Sequence, residues 1–265
     1  MNEYDNLEFF KKYAQMDRSK KGLKGAGEWH QLKRMLPNIK GKRVLDLGCG
    51  YGWHCRYALE KGAAKVVGID VSARMLAKAK ELTEQSINAG IEQKTGQDRA
   101  RKASVNRGVI DYRLMKMEEI DKLAELETFD CVISSLALHY VASFEEIVQK
   151  VHRLLSEQGY FVFSVEHPIF TAEGTEEWLY DEAGEIIAWP VDDYFDEGLR
   201  KTNFLGSVVT KYHRTLTSYV NDLLHNGFEL VELVEATPDP SMLDLPGMKE
   251  ELRRPMMLLL SARKK

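Results

Sequence analysis

Between Val44 and Gly52 the chain reads Val-Leu-Asp-Leu-Gly-Cys-Gly-Tyr-Gly, three glycines at alternate positions behind an apolar run. Glycine accepts positive φ and leaves backbone N–H groups bare, so Gly48, Gly50 and Gly52 suit a strand that turns sharply into a helix beside a ligand. A second run, Lys65-Val-Val-Gly-Ile-Asp70, ends in an acid, where a carboxylate can accept the hydroxyls of an adenosine ribose. Glycine turns also occur simply to let a helix pack close on a strand. Here a strand precedes the turn, a helix follows it and an acid ends the next strand, and that context favours a nucleotide-like cofactor. Nicotinamide enzymes place their third glycine one residue later, where this chain has Trp53.

Groups able to handle a proton gather after the fourth and fifth apolar runs. His139 and Tyr140 follow the fourth, and Glu166 and His167 follow the fifth. In an open α/β sheet both points lie at the carboxyl edge, where ligands bind. Lys211-Tyr-His-Arg214 falls where the chain returns to the sheet. His139, His167 and His213 are therefore the candidate catalytic residues, with Tyr140, Glu166, Tyr212 and Arg214 as acceptor contacts; packing within loops is the plainer alternative for each. The segment from 166 to 209 carries Trp178, Tyr180, Trp189, Tyr194 and Phe195 among many acids. Such a mixture can hold a cationic acceptor, Trp178 among the contacts, or can simply cap a small core with wet acids around it.

Short β-branched runs alternate with helical patterns from Arg43 onward, the sequence form of a parallel sheet covered by crossover helices. Strands are expected at 43 to 47, 65 to 69, 109 to 114, 129 to 134 and 159 to 164, then at 228 to 235 and 256 to 261. Between them lie helices near 52 to 61, 73 to 88, 118 to 125, 144 to 155 and 214 to 226, with Ser72 and Ser143 as N-caps. Residues 1 to 40 are expected to form a helical cap, with helices near 6 to 15 and 27 to 35, and 41 to 265 the main domain. Two insertions interrupt it: a polar, partly basic stretch at 92 to 108, most simply a solvated loop, and a lid at about 166 to 209.

At 265 residues and 44% hydrophobic content the chain can bury one full core. Lys and Arg number 37 against 41 Asp and Glu, a formal charge of -4, so no global basic field points to nucleic acid. Cys49, Cys55 and Cys131 are odd in number and lack metal-ligand spacing, which speaks against a disulfide framework and a zinc site, and for a reducing cytoplasm. An acidic N-terminus and the lack of a long apolar run give no sign of export or a membrane span.

These residues resemble motif I of the class I S-adenosylmethionine (SAM) dependent methyltransferases, in which an acid opens the turn (Asp46), glycines form it and an acid ends strand two (Asp70). Lys116-Met-Glu-Glu119 is similar to the family's adenine-binding segment, and Phe129 to Tyr140 to its fourth motif. The flavour is that of the UbiE-like group acting on small molecules. The resemblance implies a Rossmann-like, mostly parallel seven-stranded sheet with helices on both faces, the last strand antiparallel, and the lid after strand five. It implies SAM as cofactor, with S-adenosylhomocysteine (SAH) as product, and no metal. Asp46 would lie near the methionine amino group, Gly48, Gly50 and Gly52 under the cofactor, Asp70 and Val71 at the ribose, Met117 and Glu118 at the adenine, and Ser134 and Leu136 beside the methionine. Residues such as Tyr13, Met16, Arg18 and Trp29 would fold over it. The expected reaction is direct displacement onto a small-molecule acceptor. The alternatives are a SAM-binding regulator without catalysis and, less favoured, an RNA methyltransferase; the Asp-Pro-Pro-Tyr type segment of amino-directed nucleic-acid enzymes is absent after strand four.

Overall fold

A computed structural model describes residues 2 to 92, 109 to 124 and 127 to 265. Most of the polar 92 to 108 stretch lies outside the described residues. Seven strands form one sheet: β1 (Arg43–Leu47), β2 (Lys65–Asp70), β3 (Val109–Leu114), β4 (Phe129–Ser135), β5 (Leu155–Glu166), β10 (Phe228–Ala236) and β11 (Met257–Lys264). They run in the order β10-β11-β5-β4-β1-β2-β3. β1 to β5 pair in parallel, and β11 alone is antiparallel to its neighbours β5 and β10. This is the Rossmann-like methyltransferase fold.

Both faces of the sheet are covered, so its central strands are apolar throughout instead of alternating. Leu45, Leu47, Val67 and Ile69 turn to one face and join Phe144, Ile147, Val148 and Val151 in the main core. Val44, Val66, Cys131 and Ile133 turn to the other and meet Cys55, Ala58 and Leu76. The helix Phe144–Leu154 illustrates the local logic. Ser143 caps it by accepting from the Glu146 N–H, and its buried residues recur at i, i+3, i+4 and i+7. A charge at Val148, which is fully buried, would break this packing.

The N-terminal residues divide by role. Helix α1 (Leu7–Tyr13) and a short α2 (Asp17–Lys21), which the pattern did not suggest, approach the carboxyl edge of the sheet. Helix α3 (Trp29–Met35) instead covers the sheet, with Leu32 and Met35 against Val162 and Leu259.

The lid is more regular than expected. After the short helix Pro168–Thr171 come two antiparallel hairpins, β6 (Leu179–Tyr180) with β7 (Ile186–Ala188), and β8 (Gly198–Phe204) with β9 (Ser207–His213). Phe204 pairs with Ser207. The turn between them is Leu205-Gly206, both at positive φ, the geometry that suits a two-residue hairpin. Leucine at the first of these positions hides the hairpin from a search for Asn-Gly or Gly-Gly. A second long connection, 237 to 256, joins β10 to β11 and carries short 3-10 turns at Pro240–Met242 and Glu250–Arg253. No helix among the described residues is long and apolar enough to cross a membrane.

Candidate active site

The glycine turn closes β1 onto helix α4 (Trp53–Glu60), with Gly48, Gly50 and Gly52 at φ +69°, +50° and +70°. Each glycine has a different physical reason. A Cβ on Gly48 would stand 2.5 Å from the Ala137 Cβ and 2.8 Å from the Met117 Cε, so close approach excludes one. At Gly50 nothing lies within 4 Å, and the backbone there faces open space. Gly52 lies under Tyr112, whose hydroxyl would be 2.2 Å from an added Cβ. Asp70 braces the turn: Oδ2 accepts from the Gly50 N–H at 2.9 Å, and Oδ1 accepts from the Ser72 N–H at 2.8 Å. Ser72 and Ser143 are N-caps, as the pattern suggests.

Above the turn lies a cleft of about 510 Å³. Of the residues expected to hold a cofactor, Gly48, Gly50, Asp70, Val71, Met117, Glu118 and Leu136 line it. Val71 remains 44% exposed there, an apolar side chain left bare across from Met115 and Met117, as a flat base would require. The carboxylate, the bare turn backbone and the apolar slot together fit SAM. Asp46, Gly52 and Ser134 lie behind the turn instead of in the cleft lining. Asp46 is buried, its Oδ2 accepting from the Cys55 thiol and its Oδ1 without a partner, and burial pushes its carboxyl up to about 7. Ser134 donates to the Leu47 carbonyl, and its strand neighbour Ser135, pointing the opposite way, faces the cleft.

From the cap, Tyr4, Tyr13 and Arg18 complete the cleft wall. The same three residues, with Leu136 and Tyr140, also line a second chamber of about 350 Å³. Cleft and chamber thus adjoin at these five residues, among which the Tyr4 hydroxyl donates to that of Tyr140 at 3.1 Å. Burial raises both phenols, so they stay protonated. Leu136 holds a φ of +51°, a conformation costly for a side-chain-bearing residue and typical of ligand sites. Met16, Met242, Met248, Met256 and Met257 give the chamber an apolar wall, and His139, Glu166, Glu28 and Glu251 supply its polar groups.

Only one of the three candidate histidines reaches this space. His139 lines the chamber; its Nδ1 accepts from the Glu166 N–H at 3.3 Å, which leaves the proton on Nε2, 3.9 Å from Glu166 Oε2. Burial lowers its pKa to about 4, so the ring is neutral at physiological pH. His167 instead caps the helix Pro168–Thr171 through Nδ1, with Nε2 3.1 Å from Glu235. His213 has both nitrogens engaged, with Thr171 Oγ1 and the Tyr194 carbonyl. A carbonyl only accepts, so Nε2 carries the proton and the ring locks the lid.

Arg214 likewise acts at a distance, donating to the carbonyls of Val141 and Ala142 and so fixing the loop that bears His139 and Tyr140. Tyr212 lines neither space. Trp178 lies outside both as well, because the lid aromatics already hold a cation of the chain itself. The Arg254 guanidinium stands 4.2 Å from the Trp189 ring centre, 4.7 Å from Phe170 and 5.0 Å from Trp178. This cage ties the lid to the 237 to 256 connection.

One buried cluster was not apparent from residue type. Lys211, 1% exposed, donates to Glu166 Oε1 at 2.7 Å and to Glu176 at 2.7 and 2.9 Å. Burial and then the Glu166 charge push Glu176 up to about 8. Burial would raise Glu166 too, but His139 and Lys211 outweigh it and hold it below the ordinary range. The available signal was register: Val209, Lys211 and His213 alternate on the buried face of β9. Tyr4 gave none, since its hydroxyl meets that of Tyr140 across 136 positions of sequence.

The methyltransferase domain family model matches residues 45 to 163. Along its length the chain is 36% identical over 269 residues to an uncharacterized Haemophilus influenzae protein, covering 98% of this chain and 96% of that one. A SAM dependent methyltransferase structure from Listeria monocytogenes shares 49% identity, with a TM-score of 0.77 over 92% of this chain and 99% of that one. One from Mesorhizobium loti shares 39%, with a TM-score of 0.72 over 92% and 100%. Shorter matches include a tRNA U34 carboxymethyltransferase of Idiomarina loihiensis, 28% identical over 51% of this chain and 36% of that protein, and a ubiquinone biosynthesis O-methyltransferase of Bradyrhizobium diazoefficiens, 30% over 49% and 42%. The chain belongs to the SAM-dependent methyltransferase family, and its cofactor is SAM.

Proposed function

We propose that this enzyme methylates a small molecule held in the chamber that adjoins the cofactor cleft at Tyr4 and Tyr140. The observation that carries this reading is the adjacency of two spaces: a cleft fitted to the cofactor and an apolar chamber sharing Tyr4, Tyr13, Arg18, Leu136 and Tyr140 with it. A methyl donor in the cleft and an acceptor in the chamber would meet where the two spaces adjoin, and in-line displacement there needs positioning and exclusion of water more than acid or base. SAM supplies an already activated methyl group on sulfur. In this reading Gly48 and Gly50 offer backbone to the cofactor, Asp70 accepts from its ribose, and Val71, Met117 and Glu118 border its base. Tyr140, Glu166 and neutral His139 orient the acceptor.

Support for a small acceptor over RNA comes from the chamber's methionine wall and from the overall charge of -4, since RNA binding rests on basic surface and stacking platforms. The tRNA U34 carboxymethyltransferase of Idiomarina loihiensis and the ubiquinone biosynthesis O-methyltransferase are alike matched over about half of this chain, so neither decides the acceptor. We also propose a cytoplasmic location, in keeping with three unpaired cysteines, all buried. Incubation of the purified protein with methyl-labelled SAM and size-fractionated cell extract tests the acceptor class. Label is expected in the low-mass fraction and to be lost in Met248→Trp; label confined to RNA refutes the reading, and SAM binding without any transfer favours a regulatory role.

A further inference from the structure

Asp46, the acid expected beside the methionine of the cofactor, lies behind the glycine turn, which leaves that end of SAM without a charged partner in the site described so far. A recess of about 60 Å³ adjoins the cleft at Tyr13, Arg18, Gly48, Gly50 and Ser135. Among the described residues its lining holds no carboxylate side chain. Burial lowers His54, which also lines it, to about 3, so Arg18 is the one charged side chain there. The Arg18 guanidinium is only partly spent. Its one hydrogen-bond partner among the described residues is Glu28, reached through Nη2, and 21% of the side chain is exposed. Nε and Nη1 remain open to solvent, unlike Arg56 Nη2 and Arg254 Nε, which are sealed off without a partner.

The cap is built to hold this side chain beside the turn. Gly22 ends α2 at φ +62°, and a Cβ there would stand 2.7 Å from the Trp53 ring, so α2 docks on the start of α4 through a glycine. Trp53 and His54, the first residues of α4, line the same recess, and the positive end of that helix favours an anion. Resting on the cleft as the cofactor site, we propose that Arg18 binds the methionine carboxylate of SAM at this recess, through N–H groups not given to Glu28. A guanidinium carries five donors in a planar fork, so it can hold Glu28 and a second carboxylate together. The ammonium of the same methionine meets no counter-charge in the recess, and the carboxylate is therefore the group it selects. Recognition of the amino-acid end thus comes from the cap, and cofactor binding stabilises cap docking.

Calorimetry with SAM and with decarboxylated SAM, which lacks only the carboxylate, tests this. The parent protein is expected to bind SAM about tenfold tighter or more, as a hydrogen bond to a charged group would give. Arg18→Met, made together with Glu28→Gln so that no buried carboxylate is stranded, should bring SAM down to the affinity of the decarboxylated form and leave the latter unchanged. Arg18→Lys, which keeps a charge opposite Glu28 and loses the fork, should retain part of the preference. Equal binding of the two ligands by the parent overturns the proposal whatever becomes of the variants, as does a preference that survives loss of Arg18. Equal weakening of both ligands in the Arg18 variants also overturns it, making the residue a support of the cap alone. Asp70→Ala should weaken both ligands alike; if it weakens neither, the cleft itself is not the cofactor site, a failure distinct from loss of the carboxylate preference.

Discussion

The Tyr4 hydroxyl donates to the Tyr140 hydroxyl at 3.1 Å, joining the N-terminal segment to the loop after β4 across 136 positions of sequence. Both side chains are half-buried and the rings are edge-packed on each other, at 6.1 Å between centres. The bond therefore couples the cap to the sheet. A double-mutant cycle of Tyr4→Phe and Tyr140→Phe, read by denaturant unfolding, should give a coupling of about 0.5–1.5 kcal/mol. A coupling near zero would mean the hydroxyls satisfy themselves elsewhere.

Asp70 serves both turn and cofactor in this reading. Asp70→Ala should weaken SAH binding by about tenfold or more, through loss of charge-assisted bonds to the ribose and of the brace on the Gly50 N–H. Unchanged affinity in calorimetry would refute the ribose assignment.

The buried Asp46 sets a pH dependence of opposite sign to that of His139. Its carboxyl is raised by burial to about 7, above its unfolded value, so its contribution is fully present below pH 4 and is lost as pH climbs towards 7. Asn cannot ionise. The cofactor-free Asp46→Asn variant should therefore gain on the parent across that window, by at most about 1.4 kcal/mol per pH unit, and the gap should level off above pH 7. Parallel stability curves would contradict a buried, unpaired Asp46.

For His139 the folded pKa, about 4, lies below the unfolded one, so stability is complete above pH 6.5 and falls as the unfolded chain takes the proton between 6.5 and 4. His139→Gln should flatten the acid limb by up to about 1.4 kcal/mol per pH unit. His54, lowered to about 3 by burial, retains its own share of that limb. An unchanged slope would place the His139 ring in contact with water.

Lys211 bridges Glu166 and Glu176, two carboxyl groups that otherwise face each other. Lys211→Met should cost about 3–5 kcal/mol in unfolding free energy, the usual result of stranding buried charge. Adding Glu176→Gln should recover part of the loss, because Glu176 is the carboxyl already pushed up to about 8. Equal destabilisation of the single and double variants would argue against the triad.

Much of the frame was legible along the chain. Continuous apolar runs gave the seven sheet strands, with β3 at its observed bounds and β5 longer by several residues at its start, and the Ser-capped amphipathic patterns gave the helices. The glycine turn and Asp70 were legible for the same reason: their geometry depends on residues next to them in sequence, and backbone torsion is a local property. The lid hairpins escaped notice because Leu205-Gly206 lacks the usual turn residues and because β8 and β9 carry mixed polar faces. Of three histidines at the right edge of the sheet, only His139 proved to line a cavity; His167 gives its Nδ1 to a helix cap, and His213 gives both nitrogens to the lid.

What the sequence by itself determined is the fold class, the cofactor and the family, all written in runs of fewer than ten residues. The tertiary structure alone built the chamber of about 350 Å³ beside the cofactor cleft. Its wall draws on Tyr4, Glu28, Glu166, Met242 and Met248, more than 240 positions apart at the extremes. Which side chains meet there depends on how elements distant in sequence pack together, and no local pattern encodes that.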